Sequence, residues 1–161
     1  MRCERLSLSD DKMPNQKQEH SGESGSGGVV HMPKKSNPRK EYRLKQRARI
    51  EASPLMAKKF PRLNGLKATL EYFDAAGMTK NGELKCKVNV ELARSELWFA
   101  CPGVECTCGD FDLSEALAKA VGGRRKVATG EVRCQGTRKH GDREPEACGI
   151  LLRYRLNLKY D

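Results

Sequence analysis

Five cysteines fall between residues 101 and 148, and four of them stand where strand-like segments end or begin. Cys101 closes the apolar run over 97–101, and Cys106 follows it across Pro102-Gly103, a pair that favours a tight turn. Cys134 closes a second strand-like run over 126–134, and Cys148 opens a third over 149–160. Thiols gathered at strand ends are cross-linked, hold a metal, or pack as small apolar groups, and compartment helps to choose among these. The N-terminal MRCERLSLSDDK lacks the continuous apolar core of a secretory signal, so the expected location is the cytoplasm, where thiols stay reduced. The pattern therefore predicts a metal site of Cys101, Cys106, Cys134 and Cys148, with Zn²⁺ as the ion that four thiolates suit. Cys108, in CTCGD, and His140, in the loop between Cys134 and Cys148, are the competing ligands.

The remaining two cysteines read differently. Cys86 lies on the apolar face of an alternating strand and is expected as a core thiol, and Cys3 falls in a polar N-terminal segment.

The spacings are C-x4-C and C-x13-C, each pair brought together by a turn or by strand ends. That arrangement resembles a zinc ribbon, in which two thiolate-bearing turns on β-hairpins clamp one metal, although zinc ribbons usually carry two C-x2-C pairs. The resemblance covers residues 97–150 and extends to small bacterial zinc-ribbon-like proteins. It implies a structural metal, because four thiolates leave no open coordination position.

Alternation organises the rest of the body. Leu66, Ala68, Leu70 and Tyr72 alternate with polar residues, as do Leu84, Cys86, Val88, Val90 and Leu92 after the turn signal Lys80-Asn81-Gly82. Ile150, Leu152, Tyr154, Leu156, Leu158 and Tyr160 mark the last strand. Between the third and fourth strands, Asp112 and Glu115 form a capping-box pattern for a helix with an apolar stripe of Leu113, Ala116, Leu117, Ala120 and Val121, stopped by Gly122-Gly123. Strict alternators favour an antiparallel sheet with one wet face. The predicted fold class is α+β: a small antiparallel sheet of about five strands with one helix packed on it.

Charge divides the chain into three parts. Residues 1–31 hold four Lys/Arg and five Asp/Glu with a Gly/Ser-rich stretch, and are expected as a disordered tail. Residues 32–63 hold eleven Lys/Arg against two Asp/Glu and are expected as a basic helical arm. Within it, 39–52 reads as a helix that is polar nearly all round, and Ser53-Pro54 as the start of a second, short helix docked by Leu55, Met56 and Phe60. Residues 64–161 hold sixteen against fourteen and are expected as the zinc-stabilised domain.

A +10 chain whose excess lies in one arm points to a polyanionic partner. Lys34, Lys35, Arg39, Lys40, Arg43, Lys45, Arg47 and Arg49 are the candidate phosphate contacts, joined by Arg124 and Arg125. The expected role is a non-enzymatic nucleic-acid-binding accessory protein, of RNA or DNA. An alternative is a protein-interaction or structural module whose arm meets an acidic protein surface. No nucleophile–base constellation, phosphate-binding glycine loop or dinucleotide fingerprint is present to suggest an enzyme, and no apolar run is long enough to span a membrane.

Overall fold

Strict alternation builds the main sheet of the computed structural model, which describes residues 2–5, 37–139 and 144–161. Two long strands, β2 (Leu63–Phe73) and β10 (Leu151–Tyr160), pair antiparallel at its centre. Their register sets Leu152 opposite Tyr72, Leu156 opposite Ala68 and Leu158 opposite Leu66, so the alternating apolar residues of both strands share one buried face. On one side β2 pairs with β3 (Lys80–Val88), and β3 with the edge strand β1 (Arg2–Arg5). On the other, β10 pairs with β7 (Val127–Arg133), completing the order β1-β3-β2-β10-β7. All four pairings are antiparallel, and the fold class is α+β as the sequence predicts. Residues 6–36, the rest of the expected N-terminal tail together with Lys34 and Lys35, lie outside the described residues.

Three helices accompany this sheet among the described residues: α1 (Pro38–Ala52), α2 (Met56–Lys59) and α3 (Ser114–Gly122). α3 contributes Leu117 and Ala120 to the core, and Leu113 just before it is buried as well. Met56 and Phe60 bury the short α2 against the body, as expected. α1 has no buried residue, in keeping with its polar sequence, and its start is fixed by Asn37, whose side chain accepts from Arg39 N at 3.0 Å, with Pro38 in the first turn.

Several local expectations are corrected. The segment 97–101 does not join the main sheet: β4 (Trp98–Ala100) pairs with β6 (Asp110–Asp112) in a separate two-stranded ribbon. Lys80-Asn81-Gly82 opens β3 instead of turning; the turn lies earlier, where Asp74 Oδ1 accepts from Met78 N at 2.9 Å and Gly77 takes φ 75°. Lys80 is held in the strand by its two carboxylate neighbours, Glu71 at 2.5 Å and Glu83 at 2.7 Å. β3 ends at Val88, so Leu92 leaves the alternating pattern and is 76% exposed.

Ser53 ends α1 by donating from its hydroxyl to Ile50 O, and it does not cap α2. The residue before α3 is Leu113, not Asp112, although Asp112 accepts from Ser114 N at 2.9 Å; Glu115 pairs with Lys119 at 2.6 Å and closes no capping box. Beyond that helix the left-handed residue is Arg124, at φ 48°, not a glycine. Cys86 is buried on the core face as expected, yet it is disulfide-bonded, not a free thiol. The β1–β3 register sets Cys3 opposite it. Burial told where the sulfur points but not whether it has a partner.

Candidate metal centre

The cysteines lie where the ribbon, the end of the main sheet and a third small sheet meet. That sheet is formed by β5 (Cys106–Thr107), β8 (Thr137–Arg138) and β9 (Glu146–Ala147). Each cysteine is placed by backbone hydrogen bonding. Cys106 N bonds Gly103 O at 3.1 Å, closing the turn that Pro102-Gly103 predicted, and Cys101 N bonds Gly109 O at 3.1 Å. Across the mouth of the β7–β10 hairpin, Cys134 N bonds Ile150 O at 2.9 Å, and Cys148 N bonds Gly136 O at 2.7 Å. Two loops are thereby locked with one pair of thiols each, facing one another.

The result is a cluster of four buried sulfurs, Cys101, Cys106, Cys134 and Cys148, whose Sγ atoms all lie within 4.8 Å of one another. Cys101 and Cys148 Sγ are 3.7 Å apart, and Cys106 and Cys134 Sγ are 3.6 Å apart. Both separations are far beyond the roughly 2.05 Å of a disulfide bond. Four cysteines so arranged can hold a metal ion. Of the competing candidates, Cys108 is exposed, takes a left-handed φ of 57°, and stands apart from the cluster. His140 lies outside the described residues.

The thiols perturb one another's ionisation. Cys134 is drawn well below the ordinary thiol range, first by a hydrogen bond from Cys101 and then by Gly136 N–H. Cys101 is pushed far up by the same bond and by burial, and burial pushes Cys106 up to about 12. Sulfurs crowded into one buried volume cannot all ionise without a compensating charge. Gly136 N donates to Cys134 Sγ at 3.4 Å, and the Arg138 guanidinium donates to Cys148 Sγ at 3.4 Å. The second of these brings a full positive charge against the cluster, and its partner holds the Arg138 pKa above the ordinary value. Arg138 lies four residues after Cys134, on β8, where it pairs opposite Cys106 of β5.

Glycines supply the space. A Cβ on Gly109 would stand 2.3 Å from Cys106 Sγ and 2.4 Å from Cys134 Sγ, and one on Gly136 would stand 2.6 Å from Cys106 Sγ. Real Cβ atoms do not approach sulfur so closely, so both positions admit only hydrogen. These residues were missed by the sequence reading, although a signal was there: a glycine follows every cysteine of the cluster within three positions, at 103, 109, 136 and 149.

α1 is fastened to the rim of this centre. Arg39 donates to the carbonyls of Val104 at 2.6 Å and Gly103 at 3.2 Å, inside the first cysteine loop. Tyr42 donates to Asp110, and Arg49 pairs with Glu96 at 3.1 Å and Asp112 at 3.4 Å. Two of the eight arm cations expected to contact phosphate, Arg39 and Arg49, are thus engaged by the body. Arg47 pairs with Glu51 along the helix at 2.9 Å, while Lys40, Arg43 and Lys45 are exposed. Arg124 and Arg125 are exposed after α3. Among the described residues, no hydrogen bond or ion pair links the cations of α1 with Arg124 and Arg125.

No family model, no curated protein and no solved structure matches this chain. The functional reading therefore rests on the site's own chemistry. Among the described residues no helix is long and apolar enough to cross a membrane.

Proposed function

We propose that the chain is a small zinc-binding protein in which the metal is structural, and that it binds nucleic acid through the exposed cations of α1. The observation that carries the zinc reading is the shape of the sulfur cluster. A tetrahedral ion with Zn–S bonds near 2.3 Å has S···S edges of about 3.8 Å. The two short edges here, 3.7 and 3.6 Å, are close to that value. The N–H donors of Gly136 and the Arg138 guanidinium would disperse the charge of four thiolates, the role that groups around metal ligands commonly serve. Four sulfur ligands leave the ion no open position, so it would act as a clip. The clip joins the loop between β4 and β5 to the open end of the β7–β10 hairpin, places far apart in sequence.

The nucleic-acid reading is supported by an ordered helix whose outward cations, Lys40, Arg43 and Lys45, have no ion-pair partner among the described residues. One observation favours the second reading, a protein-interaction module: Arg39, Tyr42 and Arg49 bind the body, leaving fewer cations for phosphate. Two measurements test the proposal. Elemental analysis of the purified protein should give one zinc per chain, lost in Cys101→Ser and Cys134→Ser but kept in Cys108→Ser. Binding of labelled RNA or DNA should weaken steeply with salt and fall when Lys40, Arg43 and Lys45 are changed to Glu. Metal-free protein with native stability sinks the zinc reading. Absence of nucleic-acid binding at low salt, with an acidic protein retained by the same cations, transfers the arm to the second reading.

A further inference from the structure

α1 and β4 leave a groove between them, of about 510 Å³, lined by Arg43, Arg47, Ile50, Glu51, Trp98 and Ala100. Its origin is legible in the alternation of β4. Leu97, Phe99 and Cys101 point into the core, so Trp98 and Ala100 point the other way, toward the helix. α1 meets this ribbon along the line Arg39, Tyr42 and Arg49, which ties it to Gly103, Asp110 and Asp112. The flank of the helix next to that line carries Arg43, Arg47 and Ile50. The floor of the groove is therefore apolar, from Trp98, Ala100 and Ile50, and its rim carries Arg43 and Arg47 with the single carboxylate Glu51.

We propose that this groove is the nucleic-acid site and that its occupant is a single strand, with one base stacked on Trp98 and the adjoining phosphates held by Arg43 and Arg47. The inference rests on the nucleic-acid reading above and adds its location and strandedness. Three features select this occupant. An indole face beside arginines is the combination by which single strands are held, because every base has a face to stack and every nucleotide a phosphate. The cations form a stripe: Lys40, Arg43 and Arg47 lie at helical spacings of three and four, spread over about 10.5 Å at 1.5 Å per residue. The Arg47–Glu51 pair on the rim is exposed, with side chains 77% and 63% accessible, and so is weak enough for a phosphate to displace. A duplex keeps its bases stacked on each other and offers the groove no free face.

Trp98 is the sole tryptophan of the chain, so the protein carries its own reporter. The test is titration of the zinc-loaded full chain with labelled oligo(U) and oligo(dT), following label anisotropy and Trp98 emission together. Anisotropy reports binding anywhere, and emission reports binding at the groove. The expected result is saturable quenching that tracks anisotropy for single strands, with much less for a duplex of equal length or for poly-glutamate. Trp98→Leu, which keeps an apolar floor, should weaken anisotropy-detected binding about 5- to 150-fold, the range of one stacked base. Arg43→Glu, at an exposed position, keeps the reporter and should both weaken binding and flatten its salt dependence. Anisotropy without quenching overturns the groove while leaving nucleic-acid binding intact, and no anisotropy change at low salt overturns both. Equal quenching by duplex or by poly-glutamate overturns the single strand as occupant. Should Trp98→Leu fail to fold, an Arg43→Glu variant that still quenches at wild-type oligonucleotide concentrations overturns the proposal by itself.

Discussion

Gly109 and Gly122 offer a matched test of whether space around the sulfurs holds this fold together. Neither needs a left-handed backbone, so alanine at either position raises only the question of room. At Gly122 a new Cβ meets nothing within 4 Å, and the site closes α3, where alanine is the better helix former. Gly122→Ala should be neutral or stabilise by up to ~1 kcal/mol. At Gly109 the same methyl stands 2.3 and 2.4 Å from two sulfurs. Carbon and sulfur rest no closer than about 3.5 Å, so each sulfur or the loop must move by roughly 1 Å. Metal–ligand distances tolerate about 0.2 Å, so the displaced pair cannot both remain ligands at full strength. The prediction is a loss of at least about 100-fold in zinc affinity for Gly109→Ala, equivalent to about 2.7 kcal/mol. Without metal the thiols can rotate away, so the penalty should shrink. The assay is competition with a chromophoric chelator, with melting curves in zinc and in excess chelator. Wild-type affinity and Tm in Gly109→Ala would refute the reasoning, as would equal destabilisation with and without metal.

Three further outcomes are expected. Arg138→Ala removes the guanidinium from Cys148 Sγ and should weaken zinc about 10-fold or more without changing the stoichiometry, as read by the same competition; unchanged affinity would leave Arg138 a surface cation. Tyr42 has its pKa pushed up to about 12, by burial first and then by its bond to Asp110. A raised tyrosine pKa means that the folded state favours the protonated form, so this contribution is complete below about pH 10 and lost as pH rises through about 12. The measurement is spectrophotometric titration of tyrosinate, where Tyr42→Phe should delete a late-titrating component; a profile of unchanged shape argues against the contact. Glu83 is drawn down to about 2 by Lys80 and Lys85, so its stabilising effect holds above about pH 4.5 and fades as pH falls toward 2. Glu83→Gln should flatten acid unfolding in that window, measured by circular dichroism at fixed low temperature.

How far the sequence carries depends on whether one periodicity dominates a segment. β2 alternates from Leu66 to Tyr72 and β10 from Leu152 to Leu158, so that buried face could be read from the sequence, whereas Leu63, Phe73 and Leu151 at the strand ends are buried out of phase. The cysteine set was legible for a related reason: a turn signal and strand ends restrict where a thiol can point, and four such restrictions converge. β5, β8 and β9 are two residues each, too short to carry any period, and they are held by the loops they close. Leu97 to Cys101 alternates legibly, but alternation cannot name the neighbour, and the partner proved to be 110–112 instead of the main sheet.

The same limit hid the role of α1. Its sequence shows a polar helix of high positive charge, which stands alone, pairs with a partner, or lies on its own body. Only the placement of Asp110 and Asp112 on β6, with Glu96 just before β4, decides among these, because they give Arg49 and Tyr42 local partners. Once that face is engaged, the helix is no longer a tether of interchangeable charges. It becomes one wall of a groove whose other side is Trp98 on β4, three residues before Cys101. Since Arg39 and the ribbon both hold the first cysteine loop, the proposed metal clip and the groove share a foundation. Removing zinc should therefore release the helix and weaken the groove, while reversing Arg43 should disable the groove and leave the zinc in place.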